Sequence, residues 1–224
     1  SSASPRPATL ATMRECGVPL ALEVLVQSAA EAVRAAQAIG FPVALKVRSA
    51  DLPHKTEAGA LALNVADAQA VASAHDRILA SAYRFAAHAR IDGVLVQRMM
   101  PPGHEMVIGM TRDPDFGPLV MLGFGGIYID LLADRVLAPL PIGRAEALEM
   151  IDALHGVPVL RGMRGEAPSD IEALADALVA VARFVGAAGD DLLELDLNPV
   201  IVYPAGQGCV AVDALLVTRS NRRE

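Results

Sequence analysis

From residue 8 onward, the apolar positions of the chain alternate between two spacings. Where they recur every third or fourth residue they mark helices, and where they form short continuous or alternating runs they mark strands. Residues 8 to 15 fit a first helix that ends at Cys16-Gly17, and Val18-Pro19 leads into a strand at about 21–26. Ser28 reads as an N-cap with Glu31 at the capping-box position, three residues on. The helix that follows carries Ala29, Ala30, Val33, Ala36 and Ile39 and stops at Gly40. Phe41-Pro42 then opens an apolar strand, Val43-Ala44-Leu45-Lys46-Val47, and a loop with Ser49, Asp51, Pro53, His54 and Lys55. A strand at 61–65 and a long alanine-rich helix from about 67 to 88 complete the first part.

The run from Gly93 to Met100 reads as a strand ending at Pro101-Pro102-Gly103. Two more strands, near 105–111 and 117–122, are joined by Asp113-Pro114-Asp115-Phe116-Gly117, whose turn-forming residues predict an antiparallel meander. Gly123-Phe124-Gly125-Gly126 ends the meander. Helices are expected at 144–154 and 169–187, the second capped by Ser169 with Glu172 at the box position. Two last strands, about 191–202 and 208–217, form a hairpin about the turn at Pro204 to Gly208. The fold class is therefore mixed α/β (α+β), with helices interleaved among antiparallel strands and no internal repeat.

Composition narrows the function classes. At 224 residues, 53% hydrophobic and 20% charged, the chain has ample apolar content for a packed core. A net charge of −7, no tryptophan and few aromatics leave neither the basic footprint nor the stacking platform of a nucleic-acid binder. No apolar run approaches the ~20 residues that span a bilayer. The start of the chain has no signal-peptide apolar region. Cys16 and Cys209 lie far apart without metal-ligand spacing and fit a reducing compartment. A cytoplasmic module belonging to something longer is the expectation, with residues 1–7 a linker and 218–224 a polar tail.

The basic residues are unevenly chosen. Seventeen are arginines, and the only lysines are Lys46 and Lys55, nine residues apart. An ammonium is a compact charge suited to a single phosphate oxygen, whereas a guanidinium suits two acceptors at once. Lys46 also sits within an apolar strand, where a charge is costly unless an anion meets it. The competing reading is a lysine at a strand end whose head reaches water.

Three glycines in four residues at 123–126 can turn successive backbone N–H groups toward one anion. By themselves they fit an ordinary tight turn at least as well, and they match neither a Walker loop nor a dinucleotide fingerprint. Glu194, Asp196 and Asn198 alternate and so share one strand face, and the hairpin pairs Asn198 roughly with Asp213. Two oxygen donors on adjacent strands suit Mg²⁺, which completes its shell with phosphate oxygens and water. A solvent-facing polar strand is the alternative, stronger for Glu194 than for Asp213 in its apolar run. Glu105 also fits a plain surface strand residue, and His54 a solvated loop histidine. Signatures of a Ser/His/Asp triad are absent.

With these pieces in order the chain resembles the ATP-grasp domain of NDP-forming acyl-CoA synthetases. It is most similar to the nucleotide-binding β subunit of ADP-forming acetyl-CoA synthetases, and more distantly to succinyl-CoA synthetase β chains. The resemblance runs from about residue 8 to 217. GFPVALKVRSADLPHKTEAG, GVLVQRMMPPGHEMVIGMTRDPDFGPLVMLGFGG and LLELDLNPVIV followed by VDA carry it. It implies an ATP-grasp fold: an N-terminal subdomain at about 20–92 and a C-terminal one at about 93–217, enclosing a nucleotide cleft.

The resemblance also implies roles. Lys46 would hold nucleotide phosphates, with Ser49 beside it. Gln97, Arg98, Met99 and Met100 would form the hinge lining the adenine pocket. Glu105 would bind the ribose, and Gly123, Gly125 and Gly126 would belong to the loop over the phosphates. Asn198 and Asp213 would hold Mg²⁺, and Asp196 would sit near an incoming phosphohistidine. His54 would be a second phosphorylatable histidine, with Lys55 balancing its phosphate. Two departures stand out: Asp130 replaces the family's usual glutamate, and Glu57-Ala58-Gly59-Ala60 replaces a frequent glycine pair.

The implied activity is that of an acid–CoA ligase (ADP-forming), which interconverts acyl-CoA, ADP and phosphate with acid, ATP and CoA through a phosphohistidine relay. Its cofactors would be ATP/ADP and Mg²⁺. The CoA-binding, phosphohistidine-bearing part would be a partner domain or subunit, since no such module occurs in this sequence. The alternative reading is a regulatory nucleotide-binding module without turnover, for example one fused to an acyltransferase. A carboxylate–amine ligase is disfavoured by the His54-Lys55 pair.

Overall fold

The computed structural model of the chain describes residues 7–49, 51–52, 57–126, 134–163 and 165–219. It divides into two compact units: Ala21–Pro101, and the residues up to Leu20 together with those from Pro102 on. Each has its own apolar core. None of the described helices is long and apolar enough to cross a membrane.

Helix α1 (Leu10–Glu15) opens the chain, capped by Thr9, whose hydroxyl accepts from the Thr12 N–H. It belongs with the second unit. Arg183 Nη1 donates to Cys16 O (3.2 Å), and the Ala211 N–H donates to Pro19 O (2.8 Å).

The first unit runs β1 (Glu23–Val26), α2 (Ala29–Ile39), β2 (Val43–Arg48), β3 (Leu61–Val65), α3 (Ala68–Phe85) and β4 (Gly93–Arg98). Ser28 Oγ accepts from the Glu31 N–H as the sequence predicts. Glu31 Oε2, however, takes the N–H of Gln27 at 2.7 Å, one residue before the position a capping box serves. Gly40 ends α2 at φ 93°, a left-handed conformation that side chains disfavour. The strands form an antiparallel sheet in the order β1-β4-β2-β3. Val43, Leu45, Val47, Val94 and Val96 point to the core made with Ala32, Ala36, Val71 and Ile78 of the two helices. Burying each large aliphatic side chain contributes roughly 1.5–3 kcal/mol. Strand β4, expected to open the C-terminal subdomain, is instead an inner strand of this sheet.

The second unit continues with β5 (His104–Asp113), β6 (Gly117–Phe124), β7 (Arg135–Pro139), α4 (Arg144–Asp152), α5 (Val157–Leu160), α6 (Ile171–Ala188), β8 (Leu192–Val202), β9 (Cys209–Ala211) and β10 (Ala214–Thr218). The sheet order is β10-β8-β5-β6-β7, with β9 beside β8. The meander forms as expected. Asp113 Oδ1 accepts from the N–H groups of Asp115 and Phe116 and so closes the β5–β6 turn. Met106, Ile108, Met110, Val120, Leu122, Leu195 and Leu197 face the core, where α6 supplies Leu174, Leu178, Val181, Phe184 and Val185.

Helix α6 begins one residue later than its sequence suggests. Asp170 is the cap, accepting from the Ala173 N–H (3.1 Å) and the Gly208 N–H (2.8 Å). Ser169, the expected cap, sits 2.8 Å from His104 Nδ1. The two carboxylate oxygens divide the work, Oδ1 serving the helix and Oδ2 the β8–β9 turn. The Gly208 N–H above all holds the Asp170 carboxyl below its ordinary range, against the opposing effect of burial. Burial, with the nearby charges of Asp170 and Asp176, pushes the Cys209 thiol up to about 12, so it stays protonated. At the other end of α6, Arg112 donates to the carbonyls of Leu192 (2.7 Å) and Gly189, a cation suited to a helix C-terminus.

Candidate functional site

The candidate residues fall in both units. In the first, Lys46 and Gln97 lie on the sheet face opposite α2 and α3. Lys46 pairs across strands with Leu61 and Leu95, and Ala44 pairs with Gln97, which puts the two polar side chains diagonally on adjacent strands. Both are buried, at 5% and 2% exposure. Apolar cross-strand neighbours around a buried ammonium are what a site for an anionic group needs and a surface lysine does not. Ser49 follows the end of β2 and accepts from the Asp51 N–H at 3.1 Å. Arg98 is exposed at the end of β4, and Met99 and Met100 beyond it are half-buried. The Met99 N–H donates to Pro42 O at 3.0 Å, which fixes the exit from β4. His54, Lys55 and Asp130 lie outside the described residues.

In the second unit the sheet face away from α6 carries the acids. Leu215, Asp196, Gly109, Met121 and Leu137 stand side by side across five strands. Val217 pairs with Glu194. A groove of about 480 Å³ runs over this face between Asp196 and Glu194 on one side and Met121 and Leu137 on the other. Its floor is Gly109, where a side chain would meet the Met121 methyl at 3.2 Å.

The expected last strand is broken. The chain leaves β9 after Ala211 and re-enters the sheet as β10 at Ala214, so Val212 and Asp213 lie between strands rather than inside one. Asp213 is consequently exposed, contrary to what its apolar neighbours suggest. Its carbonyl accepts the Asn198 N–H at 3.2 Å, so the pairing of these two residues holds. Asn198 is exposed on the same strand as half-buried Asp196. One carboxylate and one amide, open to solvent on adjacent chain segments, fit Mg²⁺ better than a metal that needs a full protein cage. Among the described residues no group of three or more His, Cys, Asp or Glu side chains could hold a metal.

Burial first, and then the charge of Glu194, raise the Asp196 carboxyl above its ordinary range. The ionised form is thus penalised in the folded chain at neutral pH, and the penalty vanishes below the ordinary value of about 3.9. Asp196→Asn is expected to raise Tm by about 1–2 °C at pH 7 and to lose that gain by about pH 3 in thermal scans. A lower Tm at pH 7 contradicts this account.

The glycine turn and Glu105 come together. The Gly125 N–H donates to Glu105 O at 2.7 Å, and a Cβ on Gly126 would lie 2.6 Å from Glu105 Oε2. Gly126 also has φ 60°. The Glu105 side chain is exposed. Gly123 lies within β6, where a Cβ would approach Asp134 O to 3.0 Å. Asp134 is the neighbour that sequence reasoning missed. It is buried, and it binds the start of α5 through His155 and Gly156. Gly156-Val157-Pro158 marks a helix start in the sequence, but nothing in it points to Asp134.

A family model described as an ATP-grasp domain matches residues 5–217. The β subunit of acetate–CoA ligase [ADP-forming] II of Pyrococcus furiosus is 38% identical over 207 residues, covering 92% of this chain and 88% of that one. Acetate–CoA ligase [ADP-forming] I of Archaeoglobus fulgidus is 40% identical over 201 residues, which span 90% of this chain but only 29% of that protein. Among solved structures, acetyl-coenzyme A synthetase 1 of Ca. Korarchaeum cryptofilum, in complex with coenzyme A, Ca-AMPCP and HgCl⁺, superposes with a TM-score of 0.88. It is 38% identical, and the match covers 93% of this chain and 90% of that one.

Proposed function

Because the chain belongs to the ATP-grasp family, as a homologue of the β subunits of ADP-forming acetate–CoA ligases, we propose that it binds ADP or ATP with Mg²⁺ for a phosphoryl relay. The observation that supports this reading is the backbone bond from the Asn198 N–H to the Asp213 carbonyl, which pairs these two residues at the break between β9 and β10. In the first unit Lys46 offsets phosphate charge, Ser49 stands beside it, and Gln97, Arg98, Met99 and Met100 supply the adenine contacts. In the second, Glu105 takes the ribose, the turn with Gly123, Gly125 and Gly126 takes phosphates, and Asn198 and Asp213 hold the metal. Asp196, reluctant to ionise and set beside a groove, faces the incoming phosphohistidine of a CoA-binding partner domain or subunit. Mg²⁺ supplies charge neutralisation at the transferring phosphoryl group, and the chain's own residues do the positioning.

His54 and Lys55 are assigned by resemblance as a second phosphate-carrying pair. The test is labelling with γ-labelled ATP and Mg²⁺ in the presence of the CoA-binding partner. Acid-labile label that disappears in His54→Ala supports the relay. Nucleotide binding with no acid-labile label on the chain or its partner favours a regulatory module without turnover.

A further inference from the structure

The phosphate and metal roles leave unexplained a knot of polar contacts on one flank of the glycine turn. Asp134 is 8% exposed. Its Oδ2 accepts the Gly156 N–H at 2.7 Å, and its Oδ1 accepts the His155 N–H at 3.0 Å and lies 3.2 Å from His155 Nδ1. Its own carbonyl accepts the N–H of Phe124 at 3.3 Å, the second residue of the turn. Burial opposes ionisation of this carboxyl, but the contacts from Gly156 and His155 outweigh it and hold the group below its ordinary range.

The glycines here allow close approach. A Cβ on Gly156 would lie 2.6 Å from the Phe124 ring. On the opposite flank Glu105 accepts the Gly125 N–H and crowds Gly126. The turn is therefore gripped from two sides, by Glu105 and by Asp134.

Burying an ionised carboxylate is costly, and two backbone N–H groups offset that cost. His155 and Gly156 lie in the turn before α5, and a helix of only four residues gains little from bonds made there. What the contacts do fix is the Gly156–Phe124 packing, and with it the path of the backbone through Phe124 and Gly125. We infer that Asp134 is a positioning residue for phosphate binding: it sets the backbone path of the glycine turn, and so the surface that the turn offers to the nucleotide's phosphates. The inference rests on the nucleotide reading above.

The test titrates the full chain with ADP–Mg²⁺ and, in competition, with adenosine. Asp134→Ala is expected to weaken ADP about tenfold and leave adenosine unchanged, because adenosine makes no phosphate contacts. Asp134→Asn keeps one acceptor oxygen and is expected to lose about threefold for ADP alone. This milder change carries the test if the alanine variant does not fold. His155→Ala retains the backbone N–H and is expected to leave both affinities unchanged. Equal losses for ADP and adenosine, or no loss for either, overturn the positioning role. A wild-type chain that binds neither ligand, with the CoA-binding partner present, overturns the nucleotide reading and this inference with it.

Discussion

Lys46→Ala is expected to weaken ADP binding about 40-fold while the chain stays folded. The ammonium is almost fully buried on β2, between Leu61 and Leu95 of the neighbouring strands. A charge in that setting is retained at a cost unless it meets an anion, and a charge-assisted contact is worth about 1.5–3 kcal/mol. At tenfold per 1.4 kcal/mol, the middle of that range gives the expected factor. The substitution does not touch the opposite face of β2, where Val43, Leu45 and Val47 hold the core, so a cooperative thermal transition is expected to persist. Titration calorimetry and a thermal scan check both parts. Unchanged affinity contradicts the phosphate role.

The second large effect is expected at Asp213. Its carbonyl accepts the Asn198 N–H, a backbone contact that survives replacement of the side chain. Asp213→Ala should therefore keep the local chain path and remove only a carboxylate. With Asn198 the single protein donor left, Mg²⁺ has too few fixed ligands. The gain in ATP affinity on adding Mg²⁺, expected to be about tenfold in the wild type, should fall to nearly none. Binding of ATP without metal should change little. An undiminished Mg²⁺ effect in the variant contradicts the metal assignment.

The long periodic segments were legible from the sequence. Helices α2, α3 and α6 and the β5–β6 meander each repeat a clear spacing over many residues and end in recognisable turn or cap chemistry. Short edge features were not. Strand β7 alternates between exposed and half-buried positions at the sheet edge, and its five residues give too little signal. Ser169 and Asp170 are both good caps, and the choice was made by a distant N–H, that of Gly208. The last strand reads as one apolar run, but it is divided at Val212-Asp213, where the chain moves from pairing with Val200–Val202 to pairing with residues before Asn198.

The candidate site divides along the same line. Residues marked by an odd chemical type in their surroundings, such as Lys46 among aliphatics or Asp196 in an alternating strand, could be picked out in advance. Asp134 could not, because its partners Phe124, His155 and Gly156 are brought to it only by the tertiary fold. Glu105 is a surface side chain as it reads, and only the fold sets its Oε2 beside Gly126.

Titration of the purified chain with ADP and ATP, with and without Mg²⁺, tests the central claim most directly. Mg²⁺-dependent binding in the micromolar range, weakened by Lys46→Ala, is the predicted result. Absence of binding to either nucleotide, with or without the metal and with the CoA-binding partner present, would contradict it.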